Sequence, residues 1–301
     1  MAYSKRSSIF VTIVTIATIG YNSYNSEKDM VTRQAIRYFG SKMRLAEWII
    51  GNFPPHECYV EPFCGSASVF LRKPPSKIEV INDLDGEVIN FFKMLREHTD
   101  DLINAINLTP YSRTEYVLAW KHADDPLERA RRYYVRAWQG FSGNTNAPTG
   151  WRYQRDSSRN KSIIDDWCES ADRLPPIVER LKHAFIENDD AINVIHRYDA
   201  PGTLFYIDPP YLHETRSRNG KNNGANYRCE VDDSYHQSLL QAILGAIGMV
   251  AISGYDSEMY NDTLADWHKC MKVARTQNTS VTKVEHLWLS PNVDRAAMRL
   301  F

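Results

Sequence analysis

The residues best suited to chemistry follow an apolar run in the second half of the chain. Residues 203–211 read Thr-Leu-Phe-Tyr-Ile-Asp-Pro-Pro-Tyr, so a carboxylate (Asp208), two prolines (Pro209 and Pro210) and a ring (Tyr211) come directly after buried-type side chains. The prolines cannot continue a strand ladder or easily start a helix, so they impose a stiff, extended exit. Ligands of open α/β sheets bind outside such carboxyl ends. An ordinary turn after a strand would read the same way, so this stretch alone leaves both interpretations open.

Two further polar stretches follow apolar runs earlier in the chain. Residues 57–61 predict a short strand that enters the loop Pro62-Phe63-Cys64-Gly65-Ser66-Ala67-Ser68, and a helix begins at Val69. Residues 77–81 predict the next strand, which is followed by Asp83 and Asp85. Nucleotide-binding α/β folds place a ribose-binding carboxylate at this point. Asp83 could instead cap the following helix, and Asp85 competes for either role.

The elements that must position these residues alternate between strands and helices. Further strands are predicted at 184–187, 203–207 and 248–253, and residues 269–276 and 282–289 are typical of a closing hairpin. Six or seven strands with crossover helices predict an α/β fold with a Rossmann-like, doubly wound sheet.

Residues 109–183 differ in character and predict an insertion between the second and third strands. Helices are predicted at 114–123 and 126–138, and a loop rich in Gly, Asn and Thr follows at 140–151. Between Arg129 and Lys161 there are eight basic residues and one acid, interleaved with the rings of Tyr133, Tyr134, Trp138, Trp151 and Tyr153. This mixture favours contact with nucleic acid, where charges meet phosphates and rings meet bases. A solvated charged face is the alternative.

Composition gives few constraints on the partner. The chain has 301 residues and a formal net charge of −1, so the overall charge does not indicate nucleic acid. The five cysteines show no metal-ligand or disulfide spacing, which favours a reducing, cytoplasmic compartment and no metal site. Residues 1–30 carry an apolar run after Lys5 and Arg6 that makes a poor export signal, and we expect this extension to be dispensable, with Met30 as a possible start.

Three separated motifs together resemble the Dam-like, D12 class of adenine-N6 DNA methyltransferases, of the phage or prophage type. The motifs are residues 38–42 (Tyr-Phe-Gly-Ser-Lys), residues 61–68 (Glu-Pro-Phe-Cys-Gly-Ser-Ala-Ser) and residues 208–211 (Asp-Pro-Pro-Tyr), and the resemblance covers residues 35–290. Asn188-Asp189-Asp190 resembles an intermediate motif. Ser41 and Ala67 stand where the family often has a second glycine, which implies slightly more crowded loops.

The resemblance implies a role for each matching position. A catalytic domain binding S-adenosyl-L-methionine would comprise residues 31–108 and 184–301, with a mainly helical target recognition domain at 109–183. The implied catalytic residues are Asp208, Pro209, Pro210 and Tyr211. The implied cofactor residues are Tyr38, Lys42, Glu61, Phe63, Gly65, Ser66, Asp83, Asp190 and Asp208. The expected DNA contacts are Arg129, Arg132, Arg136, Asn144, Trp151, Arg152 and Arg155.

The implied reaction is methyl transfer to the N6 amine of an adenine flipped out of double-stranded DNA. Asp208 and the Pro209 carbonyl would accept the amine hydrogens, and Tyr211 would stack on the base. Cytosine N4, RNA or a protein amide as acceptor, and a DNA-binding protein without catalysis, are the alternatives. We expect a monomer without a membrane partner or a restriction subunit. The target sequence stays open, with GATC as one possibility.

Overall fold

A single seven-stranded sheet forms the centre of the part of the chain that the computed structural model describes, namely residues 31, 33–155, 162–215, 227–275 and 282–293. The strands are β1 (Cys58–Glu61), β2 (Ile78–Asn82), β3 (Phe185–Glu187), β4 (Thr203–Ile207), β5 (Met249–Gly254), β6 (His268–Arg275) and β7 (Thr282–Leu289). Their order in the sheet is β3-β2-β1-β4-β5-β7-β6. The first five strands of this order are parallel, and β7 pairs antiparallel with both β5 and β6. The expected doubly wound sheet and its closing hairpin are therefore confirmed.

The α-helices of the described residues are α1 (Ala46–Ile50), α2 (Ser68–Arg72), α3 (Gly86–Glu97), α4 (Thr99–Asn107), α5 (Arg113–Leu118), α6 (Pro126–Gln139), α7 (Ile163–Cys168), α8 (Leu174–Leu181), α9 (Ala191–Tyr198), α10 (Asp233–Leu244) and α11 (Glu258–Thr263). The helix predicted at residues 114–123 ends at Leu118 in the structure, so the prediction extended too far toward the C-terminus. After Leu118 the backbone continues with the tighter bonds of Trp120 N to Val117 O and Lys121 N to Leu118 O, which close the last turn. None of the helices in the described ranges has the length and apolar character needed to cross a membrane.

The central strand β4 is buried along its whole length and separates two hydrophobic clusters. Leu204 and Tyr206 pack into one cluster, and Phe205 and Ile207 pack into the other. Successive side chains of a strand point to opposite faces, so a strand covered on both sides reads as a continuous apolar run. β1 and β4 lie side by side, but after β1 the chain continues toward the β2 side of the sheet and after β4 toward the β5 side. A crevice therefore opens where β1 and β4 end.

The inserted helices share a core with the sheet. Trp138 of α6 and Leu174 of α8 belong to the same cluster as Ile81 of β2 and Phe91 of α3. The insertion is helical and lies between β2 and β3, as the fold class predicts. Its treatment as a separate domain with boundaries at 109 and 183 stays a prediction.

A buried amide joins three strand ends beside the crevice. Asn82, the last residue of β2, has no exposed surface. Its side chain donates to the carbonyls of Pro62 at 2.8 Å and Asp189 at 3.0 Å, and it accepts from the Asp189 backbone N–H at 2.9 Å. These bonds hold the loops after β1 and β3 against the end of β2, so Asn82 fixes the floor on which the site is built.

We predict that Asn82→Ala lowers the free energy of unfolding by about 2–5 kcal/mol, because it leaves buried backbone groups of Pro62 and Asp189 without partners. Asn193→Ala is the matched control, since the Asn193 side chain is exposed and bonds only to the Asp189 carboxylate at 3.1 Å. The control should change the unfolding free energy by about 0.5 kcal/mol or less. Denaturant unfolding measures both, and equal small effects would contradict the bracing role of Asn82.

Candidate active site

A cavity with an empty volume of about 740 Å³ opens outside the carboxyl ends of β1, β2 and β4. The predicted cofactor residues that line it are Tyr38, Lys42, Glu61, Phe63, Gly65, Ser66, Asp83 and Asp208. The structure thus brings three separated motifs to one cavity.

The loop after β1 needs glycine at position 65. Gly65 has a φ of +48°, and a Cβ atom there would lie 2.6 Å from the ring of Tyr38. Ala67 also adopts a left-handed conformation, with a φ of 52°, which is costly for a residue with a Cβ. The absence of a second glycine therefore introduces backbone strain as well as the extra bulk expected from the sequence.

Three serine hydroxyls join this strained loop to the turn at residues 38–42. Ser41 Oγ lies 2.8 Å from Ser68 Oγ, and Ser66 Oγ lies 3.1 Å from Ser41 and 2.8 Å from Ser68. A glycine at position 41 could not make these bonds. The serine thus links the turn at 38–42 to the loop after β1.

Asp83 and Asp85 have different roles in the structure. The carboxylate of Asp83 accepts from the backbone N–H groups of Gly65 at 2.8 Å and Asp85 at 2.9 Å. Asp85 is the residue that caps α3, because its side chain accepts from Glu87 N at 2.9 Å. Burial raises the pKa of Asp83 to about 6, although the two backbone bonds oppose the shift. Asp83 therefore holds the loop that contains Gly65, and the Asp83 side chain also lines the cavity.

The side chains of a lysine, two acids and a tyrosine meet at the end of β4. Lys42 Nζ lies 2.7 Å from an oxygen of Asp208 and 3.5 Å from an oxygen of Glu285. The hydroxyl of Tyr211 donates to Glu285, and Lys42 Nζ lies 4.8 Å from the centre of the Tyr211 ring. We call Lys42, Asp208, Tyr211 and Glu285 the charged cluster.

The charges in this cluster are mutually dependent. Burial alone would lower the pKa of Lys42, but the neighbouring carboxylates of Asp208 and Glu285 raise it above its ordinary value. Burial raises the pKa of Asp208, and Lys42 opposes that shift. Lys42 is therefore a cation, and its charge opposes protonation of the buried Asp208 carboxyl.

The exit from β4 is held by a buried histidine. His236 of α10 is 1% exposed, and its Nε2 lies 3.0 Å from the Pro210 carbonyl, while its Nδ1 lies 2.9 Å from the Tyr260 hydroxyl. A carbonyl can only accept, so Nε2 carries the proton and Nδ1 accepts from Tyr260. This pair fixes the backbone of the turn that presents Asp208.

Asp190 differs from the other predicted cofactor residues because it does not line the cavity. Its carboxylate caps α9 by accepting from Ile192 N at 2.9 Å, and it also accepts from the Tyr235 hydroxyl at 3.0 Å. Tyr235 and Ala191 line the cavity in its vicinity. Contact of Asp190 with a cofactor stays a prediction.

The arginines of α6 are paired with acids from outside the counted stretch. Arg129 Nε and Arg136 Nη2 lie 3.0 and 3.1 Å from Glu87, and Arg132 Nε lies 2.6 Å from Glu128. The acids that pair with these arginines lie upstream of the stretch in which the charges were counted. The contact of these arginines with DNA stays a prediction. Arg159 and Lys161 lie outside the described residues.

The loop after α6 contains both structural and exposed groups. Asn144 is buried and accepts from the backbone of residues 146 and 147, and Arg152 is 8% exposed. The rings of Trp151 and Tyr153 stack at 15° with centroids 6.1 Å apart. The exposed Arg155 donates to the Tyr153 hydroxyl at 2.8 Å. Trp151, Tyr153 and Arg155 therefore form a partly exposed surface, which we call the aromatic shelf.

The sequence did not reveal Glu285 and His236 as site residues. Glu285 shares a strand face with the buried Leu287 and Leu289, and His236 begins the apolar face of a helix, so each is a polar residue at a position where the pattern expects burial. That mismatch was the available signal. Only the strand order and helix packing show that these side chains reach the exit from β4.

Comparison with known proteins gives a consistent family. The model of the D12 class N6 adenine-specific DNA methyltransferases matches residues 38–290. The DNA adenine methylase of Serratia marcescens is 30% identical over 264 residues, which cover 82% of this chain and 92% of the relative. The DNA adenine methylase of Escherichia coli strain K12 is 24% identical over 186 residues. That alignment covers 60% of this chain and 65% of the relative, just under two thirds of its length.

Among solved structures, an rRNA methylase from Streptococcus thermophilus matches with a TM-score of 0.33 and 9% identity, covering 82% of this chain and 94% of that one. A similarity of this size carries no conclusion.

The buried carboxyl of Glu61 generates a prediction about pH. It accepts from the Tyr59 hydroxyl and from Phe70 N, each at 2.9 Å, and burial raises its pKa from 4.5 to about 8. Between pH 4.5 and about 8 the carboxyl of Glu61 is protonated in the folded state and ionised in the unfolded state. The contribution of Glu61 to the free energy of unfolding therefore falls as the pH rises across this interval.

We predict that Glu61→Gln gains stability relative to the unchanged protein over this interval, by on the order of 3–5 kcal/mol. Denaturant unfolding at several pH values measures the difference. Glu57→Gln makes the same change of side chain at an exposed acid and serves as the control. A difference for Glu61→Gln that does not change with pH would contradict the raised pKa of Glu61.

Proposed function

The chain belongs to the D12 class of N6 adenine-specific DNA methyltransferases, and we propose that it transfers a methyl group from S-adenosyl-L-methionine to the N6 amine of an adenine in duplex DNA. One observation carries the proposal within this family. Asp208, paired with Lys42 at 2.7 Å, lies on the wall of the same cavity as the strained glycine loop and Asp83. A hydrogen-bond acceptor for the amine and a place for the methyl donor are thus adjacent.

Three features of the cavity wall support this cofactor. At Gly65 a Cβ atom would collide with the Tyr38 ring, so the backbone and that ring are in close contact on the wall of the cavity. Asp83 offers carboxylate oxygens that suit ribose hydroxyls, and the Phe63 ring offers an apolar surface. When bound, the cofactor supplies an electrophilic methyl group on a sulfonium.

The residues of the chain supply orientation and a proton acceptor. The N6 lone pair of adenine is delocalised into the ring, so the amine must be drawn toward tetrahedral geometry. Asp208 accepts one amine hydrogen and the Pro209 carbonyl accepts the other, on a turn that the two prolines and His236 keep rigid. After transfer, the surplus proton passes from N6 to the carboxylate of Asp208 and then to solvent.

Duplex DNA is the proposed partner, and the adenine must leave the helix to reach Asp208. Tyr211 provides a ring next to Asp208, with its hydroxyl anchored on Glu285. The aromatic shelf combines the exposed ring of Tyr153 and the half-buried ring of Trp151 with the guanidinium of Arg155, a combination that suits bases and phosphates.

The proposal is tested by incubating the protein with labelled S-adenosyl-L-methionine and adenine-containing duplex DNA, and then identifying the modified nucleoside. N6-methyladenine is the expected product. Another methylated nucleoside would change the acceptor, and DNA binding without transfer would contradict the proposed activity.

We predict that Asp208→Ala lowers methyl transfer by at least about 10³-fold, because the amine loses the group that orients it. The dissociation constant for the cofactor should stay within about threefold, since one lost contact at the cavity wall removes little binding energy. Asp266→Ala alters an exposed aspartate and serves as the control with unchanged turnover. Transfer by Asp208→Ala at the normal rate would remove the residue from the mechanism.

We predict that Arg155→Gln weakens DNA binding and reduces the slope of log K against log salt by about one unit, as expected for one lost phosphate contact. Arg132→Gln should change the slope less, because Glu128 already neutralises that guanidinium. Titrations at several salt concentrations measure both slopes. A larger change for Arg132→Gln would place the DNA on α6 rather than on the aromatic shelf.

A further inference from the structure

Glu285 is a buried carboxylate that the proposed mechanism has not used. It is 4% exposed and lies on β7, which runs antiparallel to β5. Because of this direction, the first half of β7 lies at the edge where the parallel strands end. The strand therefore delivers a second acid to the exit from β4, where its oxygen lies 3.5 Å from Lys42 Nζ.

The charge of the cluster depends on this second acid. Lys42 and Asp208 form a close pair at 2.7 Å, so together they carry no net charge. Glu285 adds one negative charge, so Lys42, Asp208 and Glu285 together carry one net negative charge. In a buried site such a charge is screened far less than in water, so it acts on any ion bound nearby.

Throughout the proposed reaction, one of the reacting atoms carries a positive charge. The bond from N6 to the methyl carbon forms as the bond from sulfur to that carbon breaks, so the charge passes from sulfur to N6. The proton that then leaves N6 is accepted by Asp208. Lys42 alone would repel this moving charge and would compete with the amine for Asp208.

We propose that Glu285 is a positioning residue that shares the Lys42 ammonium with Asp208 and supplies the net negative charge that a cationic group at the site requires. This inference rests on the proposed function. It extends the function by giving a role to a residue outside the sequence motifs. Glu285 acts through Lys42 and does not itself contact the substrate.

The test compares the equilibrium binding of two cofactor analogues by calorimetry. Sinefungin carries an ammonium group where the cofactor has its sulfonium methyl, and S-adenosylhomocysteine carries a neutral thioether there. The ratio of their affinities reports the preference of the site for positive charge, independently of turnover. We expect Glu285→Gln to lower the preference for sinefungin by about tenfold, the size expected for one charge at short range in a partly buried site.

A matched control separates charge at the site from loss of stability. Glu79→Gln changes another buried carboxylate, which pairs with Lys73 at 2.9 Å and with Arg180 where β2 begins, away from the cavity. This control should lower stability and leave the affinity ratio unchanged. An equal change of the ratio in both variants would overturn the inference.

A second comparison separates the charge from the anchoring of Tyr211. Tyr211→Phe removes the bond to Glu285 and keeps both carboxylates, so the ratio should stay within about twofold of the unchanged protein. If Tyr211→Phe lowers the ratio as much as Glu285→Gln does, Glu285 acts by holding the tyrosine and the inference is wrong.

The remaining outcomes are also decisive. Should Glu285→Gln fail to fold, Lys42→Met gives the same test with opposite sign, because it makes the site more negative and should raise the ratio at least about threefold. An unchanged ratio in a folded variant overturns the inference. If the unchanged protein binds neither analogue, the proposed function itself fails.

Discussion

The site depends on the buried ion pair between Lys42 and Asp208, whose charged atoms lie 2.7 Å apart. Removing two charges from water costs several kcal/mol for each ion unless the geometry is good and other polar groups assist. Here Glu285 provides the additional partner, and it also accepts from Tyr211. A turn near the start of the domain, the central strand and the closing hairpin must all be in place before this pair is satisfied.

The surroundings of the pair are built for rigidity. Asn82 ties the strand ends together, His236 holds the proline turn, and three serine hydroxyls connect the turn at residues 38–42 to the loop after β1. The left-handed conformations at Gly65 and Ala67 persist because these bonds determine the loop from several sides. Methyl transfer is mainly a matter of orientation, so an arrangement that resists small displacements suits the proposed chemistry.

Much of the fold and part of the site followed from the sequence because both rest on local patterns. The apolar run of β4, the prolines after Asp208 and the glycine at position 65 each have a local physical meaning, and Gly65, Asp208 and Pro210 line the cavity. Charge compensation was not local. The acids that pair with the α6 arginines lie outside the window in which the charges were counted, and Glu285 reaches the site only because β7 runs antiparallel. Such partners are set by packing, which a linear pattern does not contain.

The most direct measurement is a crystal structure of the protein with S-adenosylhomocysteine and a duplex that contains its methylation site. We predict an adenine outside the helix, with N6 about 3 Å from both the Asp208 carboxylate and the Pro209 carbonyl. An adenine bound with N6 beyond hydrogen-bonding distance of Asp208, while Lys42 still holds that carboxylate, would contradict the central role given to this residue.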